Sequence, residues 1–392
     1  MLLFLPIARA GARDWVMSLA MVFGAPLVFV WLLRADNSKK YKFKRTSFDP
    51  ELFIFGIIVF LSFVFSINKY RSLCVFLGLA GYIGIYYLLV DNFSRDMWRR
   101  LLGLIVFIGT GLSVYGLLQY FGCLPNFWWI SEKSLASTYV NHNQFAGYLE
   151  LVIPLTLGFI FSNRKKALGY KLVLIAALVL MASAFVLSQS REAWLCLAAS
   201  LVVVGILLLR RAGFSRRRIT LLFLLIVFVF VLIAFISPKA LRQAGKIMIT
   251  ESEKESFQDR WKIWQGSISM IKDKPLFGWG LGTFAQGFLR FKPKDLEKKA
   301  DFAHNDYIQV AAESGIFGLI AMLWILVFLL REGFAKGKSY PFVLGCVTGN
   351  LSFCLHGFLD FNFYIPANMF LFIVYSAFIM SGEFNDISKS NT

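Results

Sequence analysis

Long apolar runs separated by short polar segments set the pattern of this chain. They fall near residues 15–33, 51–68, 71–90, 101–121, 144–161, 171–188, 193–209, 219–236, 314–330, 341–358 and 363–381. A helix of roughly 20 apolar residues crosses the hydrocarbon core of a bilayer and satisfies its own backbone amides there. The pattern predicts an all-α, polytopic membrane protein with about eleven spans. Residues 1–12 (MLLFLPIARAGA) are too short to span and lack a basic leading region. Only their Ala8-Arg9-Ala10 triplet is like a signal-peptide cleavage site, so they read as a partial or interfacial helix. A start further upstream would add a twelfth span.

One long stretch, 237–312, interrupts the alternation. It divides a single integral membrane domain into an N-terminal bundle (1–236), a large loop (237–312) and C-terminal helices (313–392). Within the loop, Phe257, Trp261, Trp264, Ile268 and Ile271 recur at the spacing of one helical face. Ser256 with Asp259 predicts the start of that helix as a capping box, and Pro275 its end. Tryptophans on a basic amphipathic helix beside a bilayer predict an interfacial position.

Composition agrees: 58% of the residues are hydrophobic and the mean hydropathy is +0.64. The net charge of +18 would suggest nucleic acid in a soluble protein, but its distribution excludes that reading. Lys and Arg crowd alternate loops, at 34–45, 95–100, 164–171, 210–218 and 331–338. The other short loops and the N-terminus carry only Arg9, Arg13, Lys69, Arg71, Lys133 and Arg191. Basic loops stay cytoplasmic, which puts the C-terminus inside. The large loop, residues 122–143, Arg191 and the 357–363 turn then share the outer face.

Metal chemistry finds no pattern here. Cys74, Cys123, Cys196, Cys346 and Cys354 form no CxxC, there is no HExxH, and the histidines are only His142, His304 and His356. The run Gly278-Trp279-Gly280-Leu281-Gly282 lacks the Lys-Ser/Thr of a P-loop and reads as a flexible turn. No cofactor is expected.

The candidate chemistry lies in polar islands on the outer face. Arg191, in Ser188-Gln-Ser-Arg191-Glu192, sits between two apolar runs and opens a helix whose free amides favour anions. An arginine beside hydrocarbon is costly unless paired or hydrated, so it points to phosphate recognition, with a snorkelling pair to Glu192 as the structural alternative. Arg260 lies one position from the aromatic stripe, available to lipid headgroups or to a groove beneath the helix. His304 precedes a helix on which Asp306, Gln309 and Glu313 share a face. A histidine there suits proton transfer or a structural cap. A triad with Ser188 or Ser190 lacks an elbow motif. Asn141, His142 and Asn143 can cap the next helix or bind sugar hydroxyls, and Asn305 and Asp306 are further candidate substrate contacts. His356 and Asp360, four apart, can pair on one helical face.

The order NHNQFAGYLEL, SQSREAW, DRWKIW, KPLFGWGLGTF, HNDYIQVAAESGIFGL and HGFLDFNFYIPAN over about 135–370 resembles the O-antigen ligase and polymerase superfamily. The resemblance implies a GT-C-like membrane glycosyltransferase at the periplasmic face of the bacterial inner membrane. Its implied reaction is a metal-independent, inverting transfer from undecaprenyl diphosphate. Arg191 and Arg260 would hold the diphosphate, and His304 would orient or deprotonate the acceptor hydroxyl. A ligase would pass the glycan to lipid A-core; a polymerase would extend the lipid-linked glycan. The motif pattern favours the ligase. A transporter for the same lipid fits less well, because the polar residues lie on one face and the halves show no symmetry.

Overall fold

The computed structural model describes residues 43–125, 134–162, 168–211, 251–337 and 340–383, with short pieces inside 1–33; the side chains of 209–211 and 251–256 are outside that description. The expected span 219–236, and most of 15–33, lie outside the described residues. Among the described residues there is no strand. The apolar runs become α1 (Asp49–Val64), α2 (Lys69–Asn92), α3 (Arg95–Tyr120), α4 (His142–Ser162), α5 (Leu168–Leu187) and α6 (Arg191–Arg211). The loop contributes α7 (Glu251–Asp273) and α8 (Phe284–Phe288), followed by α9 (Asp306–Gly337), α10 (Pro341–His356) and α11 (Pro366–Ser381).

Six of these, α2 to α6 and α9, are long and apolar enough to cross a membrane. Helices α10 and α11 are apolar but shorter, at 16 residues each. Hydropathy carried the expected run 341–358 through His356 into a turn, whereas the helix ends there. Local chemistry sets several starts. Pro341 and Pro366 occupy first-turn positions, where a missing N–H costs nothing. The Asn68 side chain caps α2 by accepting from the Arg71 amide at 3.1 Å.

Burial separates the centre from the rim. The most hydrophobic window of α4 is 78% buried, that of α2 only 17%, so α4 is the hub and α2 faces outward. Helices gain no hydrophobic driving force against lipid tails, so α4 must be held by close packing. Gly345 and Gly349 of α10 lie against the backbone of Pro154, Leu155 and Leu151 of α4, and Gly158 of α4 lies against Pro341. Any Cβ at these positions would force the two helices apart.

One end of the bundle gathers the polar segments. There Leu135 donates to the Leu187 carbonyl at 3.0 Å, Asp306 to Gly357 at 2.7 Å and Ile67 to Trp279 at 3.0 Å. Lys44 pairs with Glu383 at the other end.

The Gly278–Gly282 run is a turn but not a flexible one. Trp279 and Gly280 donate to the carbonyls of Ala312 and Glu313, and Gly282 donates to the Glu313 carboxylate. Its glycines hold φ of 69°, 112° and 68°, which explains the residue type. Helix α9 kinks at Gly315 (φ 73°), where Ile316 donates to Pro275. The Gln309–Glu313 stripe thus ties the loop down: Ala303 donates to Gln309, and Gln309 and Tyr364 donate to Glu313.

Helix α7 is already running at Glu251, so Ser256 lies inside it and does not cap it. The Glu- and Lys-rich turn before Ser256 favours helix and overrides the capping pattern. Ile263 and Met270 bury against Trp279, Phe284 and Phe288 in a small separate core. Phe257, Trp261 and Ile268 stay exposed on the opposite face.

Candidate functional site

The site forms where the turn after α10 meets the start of α9, the start of α6 and the middle of α7. His304 holds φ at 49°, a left-handed conformation, immediately before Asn305 caps α9 through the Tyr307 and Ile308 amides at 3.0 Å each. Gln189 (φ 59°) similarly precedes Ser190, whose Oγ accepts from Ala193 at the start of α6. In each case a sharp reversal presents the residues beside a helix N-terminus.

His304 Nδ1 lies 3.2 Å from Asp360 Oδ1. A third of the His304 side chain is exposed (34%) but little of Asp360 (5%), so the imidazole faces solvent with the carboxylate behind it. Burial works to raise the Asp360 pKa. The hydrogen bond from His304 and the charges of His304, Arg260 and His356 outweigh it and hold the value at about 2. Asp360 therefore carries no proton near neutrality and can only accept. His304 Nδ1–H therefore donates, and in the neutral imidazole Nε2 is left as the acceptor. The Asp360 carboxylate also accepts from Asn143 Nδ2 at 3.3 Å and from the Phe361 amide at 3.0 Å.

Arg260 is bound to the same turn. Its Nη1 donates to the Leu359 carbonyl at 3.0 Å and to Glu192 Oε1 at 3.1 Å. Glu192 follows Arg191, so one carboxylate ties α7 to the α6 N-terminus and brings the two arginines to one region. Arg191 is the first residue of α6 and is exposed. A cavity of about 320 Å³ opens beside them, lined by Arg260, His304, Phe302 and the segment from Lys298.

The other expected residues divide between this cluster and the fold. Asn141 caps α4 by accepting from the Asn143 amide at 2.8 Å. His142 hydrogen-bonds the Ser188 backbone. Asn305 donates to the Phe358 carbonyl, and Asp306 is buried and accepts from Phe363. The expected His356–Asp360 pair does not form. Only the backbone closes a turn there, the Asp360 amide donating to the His356 carbonyl at 3.0 Å, while the two side chains take other partners. His356 instead bonds Glu150 at 2.8 Å, with Ser352 on the other carboxylate oxygen, and both His356 and Glu150 are fully buried. Glu192 is likewise the partner of Arg260, not only a neighbour of Arg191.

Sequence reasoning missed Glu150, the role of Glu192 and the Phe302–Phe361 stack (4.3 Å between ring centroids). No local spacing links His304 to Asp360, 56 positions on. An acidic residue inside an apolar run was the available signal for Glu150.

Residues 176–323 match a family model described as O-antigen ligase. That stretch holds Arg191, Arg260 and His304 and ends before Asp360. The chain is also similar to an uncharacterized protein of Haemophilus influenzae, 27% identical over 192 residues. The similarity covers 45% of this chain and 46% of the relative, so the chain spans about half the length of the protein it matches.

Proposed function

We propose that this membrane protein, whose residues 176–323 match an O-antigen ligase family model, transfers a glycan from undecaprenyl diphosphate to a sugar hydroxyl of lipid A-core at the periplasmic face. The observation that carries this reading is that His304, backed by Asp360, lines one cavity with Arg260. Arg191 and Arg260 hold the donor diphosphate. A guanidinium stays charged and presents parallel N–H donors to phosphate oxygens, and the α6 N-terminus adds its own favourable field.

The acceptor oxygen attacks the anomeric carbon as the bond to the diphosphate oxygen breaks, with inversion. The hydroxyl proton passes to His304 Nε2, and Asp360 stabilises the imidazolium from Nδ1. Undecaprenyl diphosphate leaves with its negative charge balanced by the arginines. The arginines thus supply the cationic charge that a metal provides in other transfers, and the scaffold is of GT-C type.

The test is transfer by the purified full chain, supplied with an undecaprenyl-diphosphate glycan with and without lipid A-core. A glycan–lipid A product is expected. Lengthening of the lipid-linked glycan alone would make it a polymerase, and no covalent change would favour transport. His304→Ala should lower turnover by at least about 100-fold, within the range of general-base catalysis. Arg191→Lys should also lose most activity, because a point charge cannot form the fork. Near-wild-type turnover in either variant would remove that residue's role.

A further inference from the structure

The cavity beside His304 has a composition that the proposed chemistry does not by itself require. Among the described residues it is lined by α7 (Asp259, Arg260, Ile263) and by residues 298–304. A polyprenyl tail lies in the bilayer, so a diphosphate reaches Arg260 from the bundle side, where Glu192 and Leu359 contact it. Arg260 also lines the cavity, so the cavity adjoins that position. An inverting displacement needs its nucleophile opposite the leaving group, and the base lines this cavity.

Phe302 is the aromatic wall. Phe361 covers one face in a parallel stack (4.3 Å, 1°), and Tyr364 meets it edge-on at 5.8 Å. The ring is therefore packed on one face and along one edge. Phe361 also packs edge-to-face against His304 at 5.0 Å, which fixes the distance from platform to base. The polar rim is charge-compensated: Lys298 pairs with Asp259 at 2.7 Å and Lys299 with Asp301 at 3.0 Å. Exposed pairs of this kind exchange readily with hydroxyls, and Arg260, the remaining cation of the lining, is itself paired with Glu192. About 320 Å³ lies at the small end of ligand pockets, room for one or two sugar rings.

We propose that this cavity is the acceptor subsite, that Phe302 stacks on the C–H face of a neutral acceptor sugar, and that the paired rim charges bind its hydroxyls. The assignment rests on the glycosyltransferase reading above. It makes Phe302 a specificity determinant and not a proton-transfer group.

The experiment uses the purified full chain and a panel of neutral trisaccharides of gluco, galacto and manno configuration, with a trigalacturonate as the anionic counterpart. Binding is read by saturation-transfer NMR, and undecaprenyl diphosphate binding is measured in parallel. At least one neutral trisaccharide should bind, and more tightly than the anion. Phe302→Leu should weaken it by about tenfold, the scale of an interface anchor, and Phe302→Tyr should restore it. Undecaprenyl diphosphate binding should stay unchanged in both variants. Equal sugar binding in Phe302→Leu, a preference for the anion, or no neutral binding would overturn the subsite. Loss of the donor-lipid role would show differently: wild-type protein would bind the sugar but not undecaprenyl diphosphate.

Discussion

Asp360 is the residue on which the local electrostatics turn. Its pKa lies below the usual carboxylate value of roughly 3.9, held at about 2 by His304, Arg260 and His356 against burial. A carboxylate with a depressed folded value stabilises the fold above its unfolded value and loses that contribution as pH falls through the folded one. Asp360 thus contributes roughly 2 kcal/mol near neutrality, lost between about pH 4 and pH 2. Thermal unfolding in detergent should show wild type well above Asp360→Asn at pH 6 and the gap closing below pH 4. A gap constant across that range would mean that the charge of Asp360 does not couple to folding. The identity of the acidic residue was legible in the sequence, but its partner was not. The i, i+4 spacing survives only in the backbone, where the Asp360 amide reaches the His356 carbonyl; the side chains bond His304 and Glu150 instead.

At the scale of elements, the kink at Gly315 positions the site by fixing how α9 enters the loop. Its φ of 73° excludes most side chains, and an added Cβ would collide with the Leu276 carbonyl. Gly315→Ala should therefore cost about 1–3 kcal/mol. Gly56, on α1, has open space around its Cβ position, and Gly56→Ala should be neutral or slightly stabilising. Melting temperatures of the two variants decide the matter; equal values would mean that the kink is not fixed by this residue. The helices themselves were largely legible, because apolar runs of this length have few alternatives. The start of α7 was not, since Ser256 carries a capping signature inside a stretch of good helix formers.

For the whole molecule, the basic loops predict which end faces the periplasm. Cys123 is an exposed free cysteine just beyond α3, at the end of the bundle that holds the site. In a Cys74→Ser background, a membrane-impermeant maleimide should label Cys123 in intact spheroplasts, while the buried Cys346 and Cys354 stay protected. Labelling that needs permeabilised membranes would invert the orientation and place the site in the cytoplasm.

The sequence alone determined the helical membrane architecture, because bilayer thickness and backbone hydrogen bonding leave a long apolar run almost no other structure. It also singled out Arg191, Arg260 and His304 as candidates, each with a structural alternative left open. Partnership was decided only in three dimensions. Two acidic side chains stood available to two histidines, and α4 had to pack glycine-tight against α10 before Glu150 could claim His356. The turn that follows then delivers Asp360 to His304 and the Leu359 carbonyl to Arg260. Such contacts join positions far apart along the chain, and local periodicity carries no information about them.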